Sequence, residues 1–219
     1  MITAIYLAAG KSSRMGEHKL SLTLGQNTIG NAALSELLAA SFIDYSLVIV
    51  QPDDTLDWIS LENKNQLFGK KGEIIRCKEA DLGQSYSLKA GFAAAVERKS
   101  DKILVCLADQ PFVTANMLSK LVKINLKPPE EYVASMYNGV IMPPILFHPN
   151  VYENIKPLKG DWGARKLLNN GALQGKKIEF SEEIYFIDID TKSDYEKALA
   201  RREQDENICR NVSNFSRDT

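Results

Sequence analysis

The order of apolar segments predicts an α/β fold, a Rossmann-like and mostly parallel sheet with helices on both faces and a small antiparallel addition in its C-terminal half. Three observations lead there. Short runs rich in Val, Ile, Leu and Tyr at 2–8, 45–50, 73–77 and 103–107 alternate with helical patterns at 28–40, 56–67 and 85–98. Strands separated by helix-length segments pair in parallel through right-handed crossovers. The chain has 219 residues, 44% of them apolar, enough for one α/β domain with a well-covered sheet and too few for two independent ones.

Each element has its own signal. Residues 2–8 read as a buried strand, followed by a Gly/Ser/Arg/Lys segment and then the helix at 28–40. The strand at 45–50 stops at Gln51-Pro52-Asp53-Asp54, a turn composition. After the strand at 103–107 and a helix at 116–125 the alternation becomes less regular. Residues 132–137 and 145–147 read as strands with a turn at Asn138-Gly139 between them, the source of the antiparallel addition. A helix at 162–169 ends at Asn170-Gly171, 177–180 and 185–189 read as strands, and 193–202 closes as a helix. Residues 204–219 are polar and aperiodic, so a single domain over 1–203 is expected, with a frayed or disordered tail.

Composition excludes several function classes. A formal net charge of -1 provides no broad field for gripping a nucleic-acid backbone, so a polyanionic partner must be small and held by local donors. Cys77, Cys106 and Cys209 are odd in number and far apart, which suggests neither a disulfide framework nor a CxxC site and fits a reducing cytoplasm. No basic region precedes the first apolar strand, and no apolar run approaches the ~20 residues that span a membrane; neither export nor anchoring is expected. His18 and His148 are isolated, without carboxylate or cysteine at zinc-ligand spacing, and His18 reads as a solvated loop residue. Cys106 and Trp58 read as core.

In such sheets ligands gather beyond the carboxyl ends of the strands. The segment there is Leu7-Ala8-Ala9-Gly10-Lys11-Ser12-Ser13-Arg14-Met15-Gly16-Glu17-His18-Lys19-Leu20. Ala8, Ala9 and Gly10 let backbone groups approach a base or a phosphate, while Ser12, Ser13, Arg14 and Lys19 offer donors to phosphate oxygens. On its own the loop supports either an anion cradle or an ordinary basic turn. Gly10-Lys11-Ser12 imitates the end of a P-loop, but the first glycine of that motif would fall at Ile5, inside the strand. The dinucleotide fingerprint GxGxxG is absent as well.

Further along, Asp109 follows an apolar strand and so stands at the carboxyl edge of the sheet. There it can meet a magnesium-bound triphosphate or cap the helix after Pro111. Asp188 and Asp190 fall on one side of an extended segment and strengthen the metal reading, since a phosphate-bound Mg²⁺ takes only one or two protein carboxylates. Gly83-Gln84-Ser85 opens a helix whose first turn presents amides and hydroxyls. Gly160-Asp161 opens the next in the same manner, with Asp161 as cap and Arg165 one turn on; Trp162 is placed either to pack or to stack on a ring.

Taken together, the pattern LAAGxSxRMGxxKL over 7–20 resembles the signature of the MobA-like nucleotidyltransferases. Gly83-Gln84-Ser85-Tyr86-Ser87-Leu88, Ala108-Asp109-Gln110-Pro111, Pro144-Ile145-Leu146-Phe147, Gly160-Asp161-Trp162-Gly163-Ala164-Arg165 and Asp188-Ile189-Asp190-Thr191 follow in that family's order and resemble its molybdenum cofactor cytidylyltransferase branch. Related sequences often carry a histidine before the third of these, where this chain has Met142-Pro143-Pro144. The resemblance implies a nucleotide-diphospho-sugar transferase-like fold and a reaction of CTP with a molybdopterin-type cofactor. It implies Mg²⁺ or Mn²⁺ on Asp109 and Asp190, and Lys19, Arg14 and Asp109 as catalytic residues. Leu7, Ala8, Ala9, Gly10, Ser12, Arg14, Lys19, Gly83, Gln84 and Ser85 would bind the nucleotide, with Gly160, Asp161 and Arg165 on the acceptor side. A xanthine dehydrogenase-like hydroxylase would be the client. A related transferase with another nucleotide or phosphorylated acceptor, or a chaperone that carries a finished cofactor, are the alternatives.

Overall fold

The structure is a computed structural model that describes residues 1–10, 18–169 and 171–215, with side chains up to residue 204, residue 70 excepted. In chain order the regular elements are β1 (Ile2–Leu7), β2 (Thr23–Leu24), β3 (Asn27–Thr28), α1 (Ile29–Ala39), β4 (Tyr45–Val50), α2 (Leu61–Gln66), β5 (Gly72–Arg76), α3 (Gln84–Glu97), β6 (Lys102–Leu107) and α4 (Ala115–Val122). β7 (Tyr132–Tyr137), β8 (Val140–Phe147), α5 (Tyr152–Ile155), α6 (Ala164–Asn169), β9 (Gly175–Glu179) and α7 (Lys192–Phe215) follow.

β1 lies at the centre of the sheet because nothing in Thr-Ala-Ile-Tyr-Leu needs water: all five of these residues are buried. It pairs in parallel with β4 on one side, Leu7 opposite Ile49, and with β6 on the other, Leu7 opposite Leu107. The seven-stranded order is β5-β4-β1-β6-β8-β7-β9, and only β8 runs against the rest. A separate two-stranded hairpin joins β2 and β3. Mostly parallel pairing with an antiparallel insertion is what the sequence predicts. The β7–β8 turn has Asn138 at φ 48° and Gly139 at φ 75°, the left-handed pair that the right-handed twist of a tight hairpin demands.

Alternation along β1 divides the core. Ala4 and Tyr6 face Leu34 and Leu37 of α1, Leu118 and Leu121 of α4, and Ala198 of α7. Ile5 and Leu7 face Leu88 and Phe92 of α3, Ile155 of α5 and Leu167 of α6. Helices therefore cover both faces, as strands buried on both sides require.

Several expected elements are corrected. Residues 185–189 form no strand; a 3-10 turn, Glu183–Phe186, is followed by extended backbone. Their alternating pattern reflects burial of Phe186, stacked at 5.7 Å on Tyr137, and of Ile189, whose amide donates to the Asp109 carbonyl at 3.0 Å. α2 starts at Leu61, capped by Ser60, not at 56, because Trp58 leaves the helical path to be fully buried. α6 starts at Ala164, two residues later than expected. α7 continues to Phe215, past the expected end at residue 202 and through a segment expected to lack regular structure; no Gly or Pro interrupts it. Among the described residues no helix is long and apolar enough to cross a membrane.

Candidate active site

Strand order reverses at β1, whose connections lead first to β4 and later to β6 on its other edge. At such a switch point the loops diverge and leave a crevice above the strand ends. Here that crevice is a cleft of about 420 Å³, in the range of small-molecule sites. Its walls are the end of β1 (Leu7, Ala8, Ala9, Gly10), Lys19 and Leu20, residues 80–84 with Ser87, the end of β6 (Leu107, Ala108, Asp109), Asp161 and Asp190. The β1 end is held by its neighbours: Ala8 N donates to Ile49 O at 2.8 Å, and Gln51 Nε2 donates to Ala9 O at 2.6 Å. Ala108 N donates to Leu7 O at 3.0 Å, which carries the strand ladder up to Asp109.

Lys19 opens the 3-10 turn Lys19–Ser21 and is 5% exposed. Its Nζ donates to Asp109 Oδ2 and to Asp190 Oδ1, both at 2.8 Å. Burial, the largest single influence, works to lower the pKa of this ammonium; the Asp109 and Asp190 charges and hydrogen bonds outweigh it and raise the pKa above its ordinary value. Lys19 is therefore a permanent cation at neutral pH. Among the described lining residues, Asp81, Asp109, Asp161 and Asp190 carry carboxylates and Lys19 an ammonium.

Asp188 is not among the residues that line the cleft. The residue is exposed, yet its Oδ1 accepts a 2.8 Å hydrogen bond from Nε2 of Gln110, which is fully buried. Burial of the carboxyl and the nearby Asp109 charge raise its pKa to about 6, against the pull of the Gln110 bond. Gln110 thus fastens the 188–190 segment beneath β6, together with the bond from Ile189 N to Asp109 O.

The opposite wall joins two distant segments backbone to backbone. Gly83 has φ 122°, and a Cβ on it would lie 2.5 Å from Gly160 O and 2.8 Å from Asp161 N. Ser85 N donates to Gly160 O at 3.1 Å. That amide is therefore engaged within the protein, and Ser85 itself is fully buried with its hydroxyl unpartnered. The first turn of α3 meets the cleft through Gln84 and Ser87 instead.

The model of the MobA-like NTP transferase domain matches residues 4–177. The chain belongs to the MobA-like NTP transferase family. It is 36% identical over 197 residues to the purine catabolism protein PucB of Bacillus subtilis (strain 168), covering 89% of this chain and 94% of that one. It is also 36% identical over 126 residues to a 2-C-methyl-D-erythritol 4-phosphate cytidylyltransferase of Dechloromonas aromatica (strain RCB), covering 54% of this chain and 51% of that one. A solved structure from Mycobacterium sp. strain JC1, a homologue of Mycobacterium tuberculosis rv0371c, superposes with a TM-score of 0.75 at 26% identity, over 93% of this chain and 97% of that one. Nucleotidyl transfer is accordingly the activity class of this MobA-like chain.

The sequence-derived residues fare unequally. Leu7, Ala8, Ala9, Gly10, Lys19, Gly83, Gln84, Asp109, Asp161 and Asp190 converge on the cleft of this MobA-like domain. Ser12 and Arg14 lie outside the described residues. Ser85 is behind the wall, Gly160 is bonded to it through its carbonyl, and Arg165 is exposed on α6 outside the cleft lining. Asp161 precedes α6 by more than a cap position, so it belongs to the cleft wall and not to the helix end. His18 is not simply solvated: its Nε2 is 3.6 Å from the buried Asp54 carboxylate and its Nδ1 3.0 Å from Ser21 Oγ. Sequence reasoning did not assign Ala80, Asp81, Leu82 or Ser87 to the site; only Ser87 carried a signal, as a hydroxyl of the first turn of α3 three residues from Gln84.

No group of three or more His, Cys, Asp or Glu capable of holding a metal occurs among the described residues. The donor set nevertheless suits a hard divalent cation that shares a triphosphate: two carboxylate oxygens converge on a single point, where the Lys19 ammonium stands as the counter-cation.

Proposed function

We propose that this chain is a cytosolic, divalent-cation-dependent cytidylyltransferase that joins CTP to a molybdopterin-type cofactor, forming its cytosine dinucleotide and diphosphate. The observation that carries the reading is Lys19 held at 2.8 Å from both Asp109 and Asp190, directly beyond Leu7-Ala8-Ala9-Gly10. The ordered motifs from Leu7 to Thr191 support the molybdenum cofactor branch. Likeness to a purine catabolism protein supports a molybdenum hydroxylase of the xanthine dehydrogenase kind as client, and likeness to a cytidylyltransferase supports the base.

In this reading the backbone of Leu7, Ala8, Ala9 and Gly10, with Gly83 and Gln84, takes the nucleoside, and Ser12, Arg14 and Lys19 take the triphosphate. Gly160, Asp161 and Arg165 form the acceptor side. Asp109 and Asp190 hold Mg²⁺ or Mn²⁺, which when bound neutralises charge on the triphosphate and its departing diphosphate. An oxygen of the acceptor's terminal phosphate attacks the α-phosphorus of CTP. The bond from that phosphorus to the bridging oxygen breaks, and diphosphate leaves with the electron pair. Since the nucleophile is already an anion, no general base is needed, and the protein contributes alignment and positive charge. Lys19 supplies that charge at neutral pH, because its carboxylate neighbours favour its protonated form. The catalytic domain in this reading is 1–203, and 204–219 is an appendage to it.

Diphosphate release measured with purified molybdopterin and, in turn, CTP, GTP, ATP and UTP tests the proposal. CTP is expected to support turnover at least tenfold better than the others. Preference for GTP would move the assignment to a different nucleotide, and tight binding of the finished dinucleotide without turnover would favour a carrier.

A further inference from the structure

Gln84 stands on the wall of the cleft at the start of α3, and its side chain lies over Gly163. A Cβ built on Gly163 would overlap Gln84 Oε1 and approach Gln84 Cδ to 2.9 Å and Cγ to 3.7 Å. The three nearest heavy atoms to that position all belong to the Gln84 side chain. Gly163 is itself buried. Unlike Gly83 and Gly160 it has no positive φ, so its own conformation accepts an alanine and the Gln84 amide is the nearest obstacle. The segment that carries Gly163 is fixed to α3 at three further places: Ser85 N to Gly160 O at 3.1 Å, Lys89 Nζ to Leu158 O at 3.1 Å, and the Gly83–Gly160 backbone contact. Residues 158–163 therefore form a seat for the first turn of α3.

We propose that Gly163 is a positioning residue for Gln84: the missing side chain on the acceptor-side segment sets where the Gln84 amide stands in the nucleotide half of the cleft. This rests on the reading of the cleft as a nucleotide site. It deepens that reading by tying the two substrate subsites together. The acceptor-side motif fixes nucleotide affinity through Gln84, and the glycine acts through that amide without touching either substrate.

The full-length protein with Gly163→Ala, Gln84→Ala and the double substitution tests this. The closest approach of the added methyl is to the end of a flexible side chain, so Gly163→Ala is expected to leave Tm within about 2 °C of wild type. The side-chain amide NMR signals of Gln84, assigned by their loss in Gln84→Ala, should shift in Gly163→Ala. The KM for the nucleotide should rise about tenfold, the size of one lost hydrogen bond, while kcat and the acceptor KM change by less than about threefold. In the Gln84→Ala background the glycine substitution should add nothing. Unmoved Gln84 signals, additive effects in the double variant, or an effect confined to the acceptor KM would each overturn the proposal. If wild type turned over no nucleotide, the functional reading would fall, and the Gln84 signals would still decide whether Gly163 places that amide.

Discussion

Replacing Lys19 with methionine removes the ammonium and keeps most of the volume of a side chain that is 6% exposed. The charge it deletes lies 2.8 Å from each of two carboxylate oxygens. At an effective dielectric near 20, opposite charges about 4 Å apart attract by roughly 4 kcal/mol before desolvation is subtracted. Asp109 and Asp190 keep 26% and 49% of their side-chain surface in solvent, so water offsets much of that attraction. Breaking even a fully buried pair costs only about 3–5 kcal/mol, which leaves a net destabilisation of about 1–2 kcal/mol here. For a domain of this size that is a fall in Tm of roughly 2–8 °C. Thermal unfolding in chelator-treated buffer reads it directly. The same variant leaves the two carboxylates without their ammonium, so Mg²⁺ should raise its Tm more than it raises that of wild type. At a tenfold excess over Kd the gain is about 1.4 kcal/mol. Turnover should fall by about 10²–10³, the usual loss when a preorganised charge is removed from a transition state. A Lys19→Met protein with wild-type Tm, wild-type response to Mg²⁺ and turnover within about threefold would refute the reasoning.

Asp109→Ala is expected to abolish Mg²⁺-dependent turnover while circular dichroism stays that of the folded protein; wild-type turnover would remove Asp109 from the metal site. Gly83→Ala forces a Cβ to 2.5 Å from Gly160 O at φ 122°, so Tm should drop by several degrees, for about 1–3 kcal/mol of strain. An unchanged Tm would mean that the Gly83–Gly160 approach is looser than described. Asp188 has its pKa raised from 3.8 to about 6 in the folded protein. Its contribution to stability is thus complete below pH 3.8 and is lost as pH rises through about 6. Asp188→Asn keeps an acceptor for Gln110 and removes that loss. In metal-free buffer above pH 7 it should be more stable than wild type by up to about 1 kcal/mol, a figure reduced for solvent screening of an exposed residue. Superimposable stability–pH curves for the two proteins would contradict the assigned shift.

Much of the frame was legible because its signals are local. β1 and β6 announce themselves as apolar runs since both faces of each are covered, and Asp109 follows from its place two residues past a strand end. The 7–10 segment, the Asn138-Gly139 turn and the existence of an antiparallel addition were readable for the same reason; its pairing with β6 was not. What failed depended on pairings across the chain. The bond between Lys19 and Asp190 spans 171 residues, and nothing in either segment specifies it. Residues 185–189 have strand-like alternation, but their partner is the core beneath β6, so burial without a ladder imitated a strand. Ser85 and Ser87 share the first turn of α3, and local sequence does not specify that Ser85 N bonds Gly160 O while Ser87 lines the cleft. His18 seemed solvated for want of a neighbour in sequence, and Asp54 arrives from the turn after β4.

The most direct test is the mass and stoichiometry of the product formed from CTP, purified molybdopterin and Mg²⁺ by the wild-type protein. The account predicts a cytosine dinucleotide of the cofactor and diphosphate in equal amounts, both lost in Asp109→Ala. Diphosphate released without a cytidylylated acceptor, or an acceptor carrying a different nucleotide, would contradict it.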